Sequence, residues 1–101
     1  MTYDFAKELK EGGWPRTIYF YDETKEIGNE PTLEELIEMC PKNYKEGEHF
    51  NGDFTLKVYG DGSWHVGYEH MDGWYEGAEG EGSTPTEAVG RLWIALNKKT
   101  V

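Results

Sequence analysis

The sequence predicts an α+β fold: a small antiparallel sheet, a three-stranded β-meander with one further strand candidate, packed against a C-terminal helix, with two short helices in the N-terminal half. Three observations predict it. From Phe50 onward the apolar residues recur at every second position, the period of a half-buried strand. Before that, two short runs carry apolar residues three and four apart, separated by a run of β-branched and aromatic residues. After it, Thr84-Pro85-Thr86-Glu87 opens a run whose apolar residues fall on one helical face. At 101 residues the chain is short for a domain. Residues 1–101 are therefore read as a single α+β domain, with a helix–strand–helix portion (1–46) and a βββα portion (47–101).

Residues 4–11 read as an amphipathic helix, with Asp4 as N-cap and with Phe5 and Leu9 four apart on one face. Gly12 and Gly13 end it, and Trp14-Pro15 starts an extended stretch, because the residue before a proline is pushed out of the helical region. Residues 17–21, Thr-Ile-Tyr-Phe-Tyr, have the composition of a strand, and residues 22–25 supply a polar turn. Thr32 and Glu35 form a capping box that opens a helix over residues 33–40; Leu33, Leu36, Ile37 and Cys40 share one face, Glu34, Glu35 and Glu38 point away, and Pro41 stops it.

Phe54, Leu56 and Val58 alternate with Thr55, Lys57 and Tyr59; after the turn Gly60-Asp61-Gly62, Trp64, Val66 and Tyr68 alternate with His65, Gly67 and Glu69. Met71-Asp72-Gly73 reads as a second turn, and Trp74, Tyr75 and Ala78 as a third strand. Glycines at 77, 80 and 82 then loosen the chain, so residues 76–83 are expected to form a mobile acidic loop. The final helix has Thr84 at its N-cap, Pro85 at its first position and Glu87 three residues after the cap. Its apolar face, Val89, Leu92, Trp93 and Leu96, is expected to meet Trp64, Val66 and Tyr68 of the sheet. Gly90, which costs a helix about 1 kcal/mol relative to Ala, is expected to mark a close approach to a strand.

Composition narrows the function. Hydrophobic residues make up 37% and aromatic residues 15%, so the core is small and weighted toward Trp, Tyr and Phe. A formal net charge of −10 repels phosphate backbones, which argues against general nucleic-acid binding. There is no apolar run of about 18 residues and no basic, then apolar, N-terminus, so the expectation is a soluble, cytoplasmic protein. The lone Cys40 has no internal disulfide partner, in keeping with a reducing compartment. Cys40, His49, His65, Glu69 and His70 lack any metal-ligand spacing, and His65 and His70, five apart on a strand, take opposite faces. Ser63 and Ser83 lie in turns outside any nucleophile-elbow motif, and Cys40 sits on an apolar helix face where burial raises its pKa. Gly80-Glu81-Gly82-Ser83 is glycine-rich but lacks the lysine of a phosphate loop, and its acids would repel phosphate. No catalytic residue, metal or cofactor is therefore predicted, and a non-enzymatic protein is expected.

Charge distribution says more. Between Glu46 and Glu87 stand ten acids and one base, Lys57, so nine of the ten units of net charge fall there. Solubility alone is one role for such a surface. Aromatics interleaved with these acids favour a second role, since aromatic anchors inside a charged rim characterise protein-binding surfaces. The predicted partner-binding residues are Glu69, Asp72, Trp74, Tyr75, Glu76, Glu79 and Glu81, with Tyr59 nearby.

Two resemblances add to this. The ending Gly-Ser-Thr-Pro-Thr-Glu-Ala-Val-Gly-Arg-Leu-Trp-Ile-Ala-Leu-Asn (82–97), together with Pro-Thr-Leu-Glu-Glu-Leu-Ile-Glu-Met-Cys (31–40), resembles a group of small phage and prophage proteins, which implies a mobile-element origin and a host-cell cytoplasmic setting. Three strands followed by Gly-Ser-Thr-Pro-Thr-Glu-Ala (82–88) resemble the β-β-β-α core of HicB-type antitoxins and, more distantly, of double-stranded-RNA-binding domains. The lysines that the RNA-binding family carries at the start of its last helix are replaced by Pro85, Thr86 and Glu87, and no DNA-binding extension is expected after Val101, so neither RNA grip nor autorepression is expected to come with the resemblance. Together these features lead to the expectation of an acidic protein that binds and inhibits a host protein with a basic surface, such as a defence nuclease, by mimicking nucleic acid as an anti-CRISPR protein would. The alternatives are an antitoxin module covering a small RNase toxin, and a small metal- or ligand-binding domain using His65, Glu69 and His70.

Overall fold

The computed structural model describes residues 1–46, 50–71 and 73–98. Three helices and six strands run in the order α1 (Tyr3–Glu11), β1 (Tyr19–Tyr21), β2 (Glu26–Gly28), α2 (Leu33–Glu38), β3 (Asn43–Glu46), β4 (Phe50–Val58), β5 (Trp64–His70), β6 (Gly73–Gly82) and α3 (Pro85–Lys98). The strands form two antiparallel sheets, a β1–β2 hairpin and a four-stranded meander in the order β3-β4-β5-β6. The α+β class with a C-terminal helix on a curled sheet is thus observed.

Helix α1 begins one residue earlier than its sequence suggests, and its N-cap is Thr2 in place of Asp4: the Thr2 hydroxyl accepts the Phe5 amide at 3.1 Å. Asp4 falls in the first turn, where its charge complements the helix dipole. Strand β1 is shorter than the 17–21 run, and it pairs with β2, which sequence patterning missed. Strand β2 holds a single apolar residue, Ile27, opposite Phe20, and so carries no readable alternation. Helix α2 keeps its capping box, with Thr32 and Glu35 each bonding the other's backbone amide, and ends before Cys40. Cys40 and Leu36 are nevertheless both buried.

Strand β3 is a further addition. Residues 43–46 pair with β4 and thereby join the C-terminal sheet, although they lie in the predicted N-terminal portion. Asn-Tyr-Lys-Glu at a sheet edge has only Tyr44 to bury, and polar residues on edges discourage further pairing. The ring of Tyr44 stacks on Tyr68 and Tyr75, both near 5 Å between centroids (5.2 and 5.1 Å), and Phe54 meets Tyr68 edge-on at 6.1 Å. The inner face of the meander is therefore an aromatic row across all four strands. The Tyr68 hydroxyl at its centre donates to the Pro41 carbonyl at 2.8 Å, and burial raises its pKa.

Residues 76–83 are not a loop. Through Gly82 they continue β6, with Gly67 opposite Glu79, Val66 opposite Gly80, His65 opposite Glu81 and Trp64 opposite Gly82. Helix α3 lies so close to this strand that a Cβ on Gly80 would stand 2.1 Å from the Ala88 carbonyl oxygen and 2.6 Å from the Leu92 amide nitrogen. Here glycine marks helix-to-strand contact rather than mobility. Gly90 has a similar cause but a different neighbour from the strand expected: its Cβ would meet the Phe5 ring of α1 at 2.6 Å. Helix α3 thus buries Val66 and Tyr68 of the sheet under Val89 and Leu92, and presents Gly90 and Trp93 toward α1 and Trp14, the two indoles meeting edge-on at 5.2 Å. At its N-terminus Thr84 accepts the Glu87 amide at 3.1 Å. The Glu87 carboxylate takes the amide and hydroxyl of Ser83, so the box closes one residue further out than the Thr84–Glu87 spacing suggests.

Candidate functional site

The helices cover one face of the meander, so strand parity decides what the other face displays. Trp64, Val66, Tyr68, Ala78 and Gly80 point toward α3 and the core. Residues of the opposite parity form the outer face: Asp53, Thr55 and Lys57 on β4, His65, Gly67 and Glu69 on β5, and Trp74, Glu76, Glu79 and Glu81 on β6. A register shift between Gly67 and Glu69 separates the Trp74 end of β6 from its Glu79–Glu81 end.

Five of the predicted residues, Glu69, Trp74, Glu76, Glu79 and Glu81, therefore share this face. Tyr75 does not. One position along from Trp74, it turns inward, stacks on Tyr44 and packs against the core. Asp72 lies outside the described residues, as does His49. His70 ends β5 with parity opposite to His65, and Cys40 is buried beneath the helices with its thiol pushed up to about 11 by burial. Among the described residues, no three His, Cys, Asp or Glu side chains converge as a metal site.

Sequence reading missed how these groups touch. The Trp74 ring lies over Gly67, where a Cβ would come within 2.8 Å of it, so the absent side chain is what seats the indole on the sheet. Lys57 stands beside it: its Nζ is 2.5 Å from a Glu69 carboxylate oxygen and 5.2 Å from the Trp74 ring centroid. Across the face, the rings of Tyr59 and His65 are 4.1 Å apart, and His65 Nε2 lies 3.6 Å from Glu81. Between the two aromatic groups is a hollow of about 660 Å³ lined by Tyr59, His65, Trp74, Glu76 and Glu79, with Val66 and Gly80 beneath. The signal for much of this was present, since a hairpin turning at 60–62 sets Lys57 opposite His65 and Asp53 opposite Glu69.

One polar chain sits at the end of the hairpin. The Ser63 hydroxyl donates to Asp61 at 2.6 Å and lies 3.2 Å from His65 Nε2. Bonds from the Ser63 side chain and backbone hold the Asp61 carboxyl below its usual range. In a hydroxyl-nucleophile triad the imidazole lies between acid and hydroxyl. Here the hydroxyl lies between, and its proton is committed to Asp61, an arrangement that closes the turn and orients His65. What the outer face offers chemically is carboxylates and π-faces, both of which attract cations. Compared with known proteins, the chain matches no family model, no curated protein and no solved structure.

Proposed function

We propose that the outer face of the meander binds a protein partner through a basic surface of that partner, and that the partner is a nucleic-acid-handling protein whose channel this face occupies. The observation that carries the reading is the placement of Glu69, Trp74, Glu76, Glu79 and Glu81 together on the sheet face that no helix covers. Residues two apart on a strand are separated by about 6.8 Å, which is the interval between successive phosphates along a nucleic-acid strand. Glu79 and Glu81 stand in that relation, on a rigid strand rather than a loop. Among the described residues two lysines share this face with the acids, Lys57, which is engaged by Glu69, and Lys45 on the edge strand β3, opposite Asn51. The resemblance of two segments to phage proteins supports a host defence nuclease as the target, which makes the protein a non-enzymatic inhibitor of the anti-CRISPR kind.

The test is competition. Immobilised protein and its Glu76→Gln/Glu79→Gln/Glu81→Gln variant are exposed to bacterial lysate, and each bound species is challenged separately with rising salt and with duplex DNA. A nucleic-acid mimic holds its partner at low salt and loses it to either challenge, and the triple variant fails to hold it. A partner retained by the variant, or indifferent to DNA, would overturn the reading.

A further inference from the structure

We infer that the hollow between Tyr59 and Trp74 is a seat for an arginine side chain of the partner, an inference that rests on the reading above and specifies its chemistry. Three features of the hollow point to a guanidinium. First, two aromatic rings line it: Trp74 on one side, held against the Gly67 backbone, and Tyr59 on the other, exposed but braced by the His65 ring at 4.1 Å. Second, its rim carries Glu76 and Glu79, exposed carboxylates for which no cationic partner is found among the described residues. Third, a cation already uses one of the walls, since Lys57 Nζ lies 5.2 Å from the Trp74 ring centroid while paired to Glu69. The indole is therefore placed where a positive charge reaches it.

Shape and charge together favour arginine over lysine. A guanidinium is planar, stacks on indole and phenol faces, and meets carboxylates with paired N–H donors, whereas an ammonium is a compact, strongly hydrated point charge. At about 660 Å³ the hollow has room for an arginine side chain with its hydration. Lys57 stands in the way of full stacking on Trp74, so an incoming arginine must share or displace it. The seat turns a diffuse acidic face into one that reads a particular side chain, and the surfaces that grip phosphates are rich in arginine.

The experiment titrates the full chain with nona-arginine and with nona-lysine, equal in length and charge, and follows affinity by calorimetry at two salt concentrations and the four indole N–H resonances by NMR. Nona-arginine is expected to bind tighter by up to about fivefold, since a guanidinium adds planar stacking and paired N–H donors to the charge that both peptides share, and to shift the Trp74 resonance most. Trp74→Leu and Tyr59→Leu should each erase the preference while leaving nona-lysine binding in place. Lys57→Met should strengthen nona-arginine binding. Should Trp74→Leu fail to fold, Glu76→Gln/Glu79→Gln, at exposed positions, tests the same seat and should weaken nona-arginine more than nona-lysine. Equal, salt-sensitive binding of both peptides, or a preference that survives the Trp74 and Tyr59 changes, overturns the arginine seat and leaves the acidic-face reading standing. Failure of both peptides to bind at low salt overturns both.

Discussion

Gly80 is the residue at which sequence and structure diverge most. Read alone, it belongs to a glycine-rich acidic tract; in the fold it is the point where α3 touches β6 backbone to backbone. Backbone atoms cannot swing aside as a flexible side chain can, so Gly80→Ala is expected to destabilise by about 3 kcal/mol, the cost of overpacking a filled site. Gly60 supplies the control. A Cβ there meets nothing within 4 Å, so Gly60→Ala should leave the denaturant midpoint unchanged or slightly raised. Cys40 gives a second residue-level expectation. With its thiol pushed to about 11 by burial, little thiolate exists at pH 8, and iodoacetamide should label the native protein far more slowly than the denatured chain. Rapid native labelling would show that the helix layer over Cys40 opens readily.

At the scale of elements, α3 is the one on which the rest depends, because it faces the sheet on one side and α1 and Trp14 on the other. Trp93→Ala should cost about 3–5 kcal/mol, a large part of the stability of a domain this size. Its N-terminus is held by Thr84, and Thr84→Ala should cost about 1 kcal/mol. The Glu87 carboxyl is held below its usual range, first by the Arg91 guanidinium and then by the Ser83 amide and hydroxyl. A carboxyl with a depressed folded-state pKa adds stability that is present above its unfolded pKa and lost as pH falls through the folded one. Glu87→Gln should therefore unfold more easily than the parent at pH 7, and the gap between their melting curves should close as the pH drops through the acidic range below 4.5. A gap that stays constant with pH would mean that the charge of Glu87 contributes nothing.

The whole molecule is flat, 49 × 35 × 18 Å, and its thin axis has room for one sheet and one layer of helices. That leaves one sheet face without a helical cover, and Glu69, Glu76, Glu79 and Glu81 stand on it. Charge of one sign on one face repels itself, so the Glu76→Gln/Glu79→Gln/Glu81→Gln variant, which removes three of the ten net negative charges, should melt at the same temperature or higher while losing its partner. The prediction holds on a strand as it would on a loop, because all three side chains are exposed and a Gln keeps the shape of a Glu. Melting curves with and without added salt check it. A variant that melts much lower would assign these acids a structural role.

By itself the sequence determined what short-range physics controls. The Thr32–Glu35 and Thr84–Glu87 caps, the hairpin turning at 60–62, the inward set Trp64, Val66 and Tyr68, and the sign of the charge on residues 46–87 were all legible, since each depends on neighbours within a few positions. Tertiary structure decided the rest. Short strands with one apolar residue each, β2 and β3, exist only because a partner strand supplies their hydrogen bonds. Glycine has the same local signature in a mobile loop and beneath a packed helix, so only the approach of α3 could turn residues 76–82 into a strand. That strand in turn settled the site: it put Trp74 and Glu79 on the open face and turned Tyr75 into the core, because in a strand a shift of one residue reverses the side of the sheet.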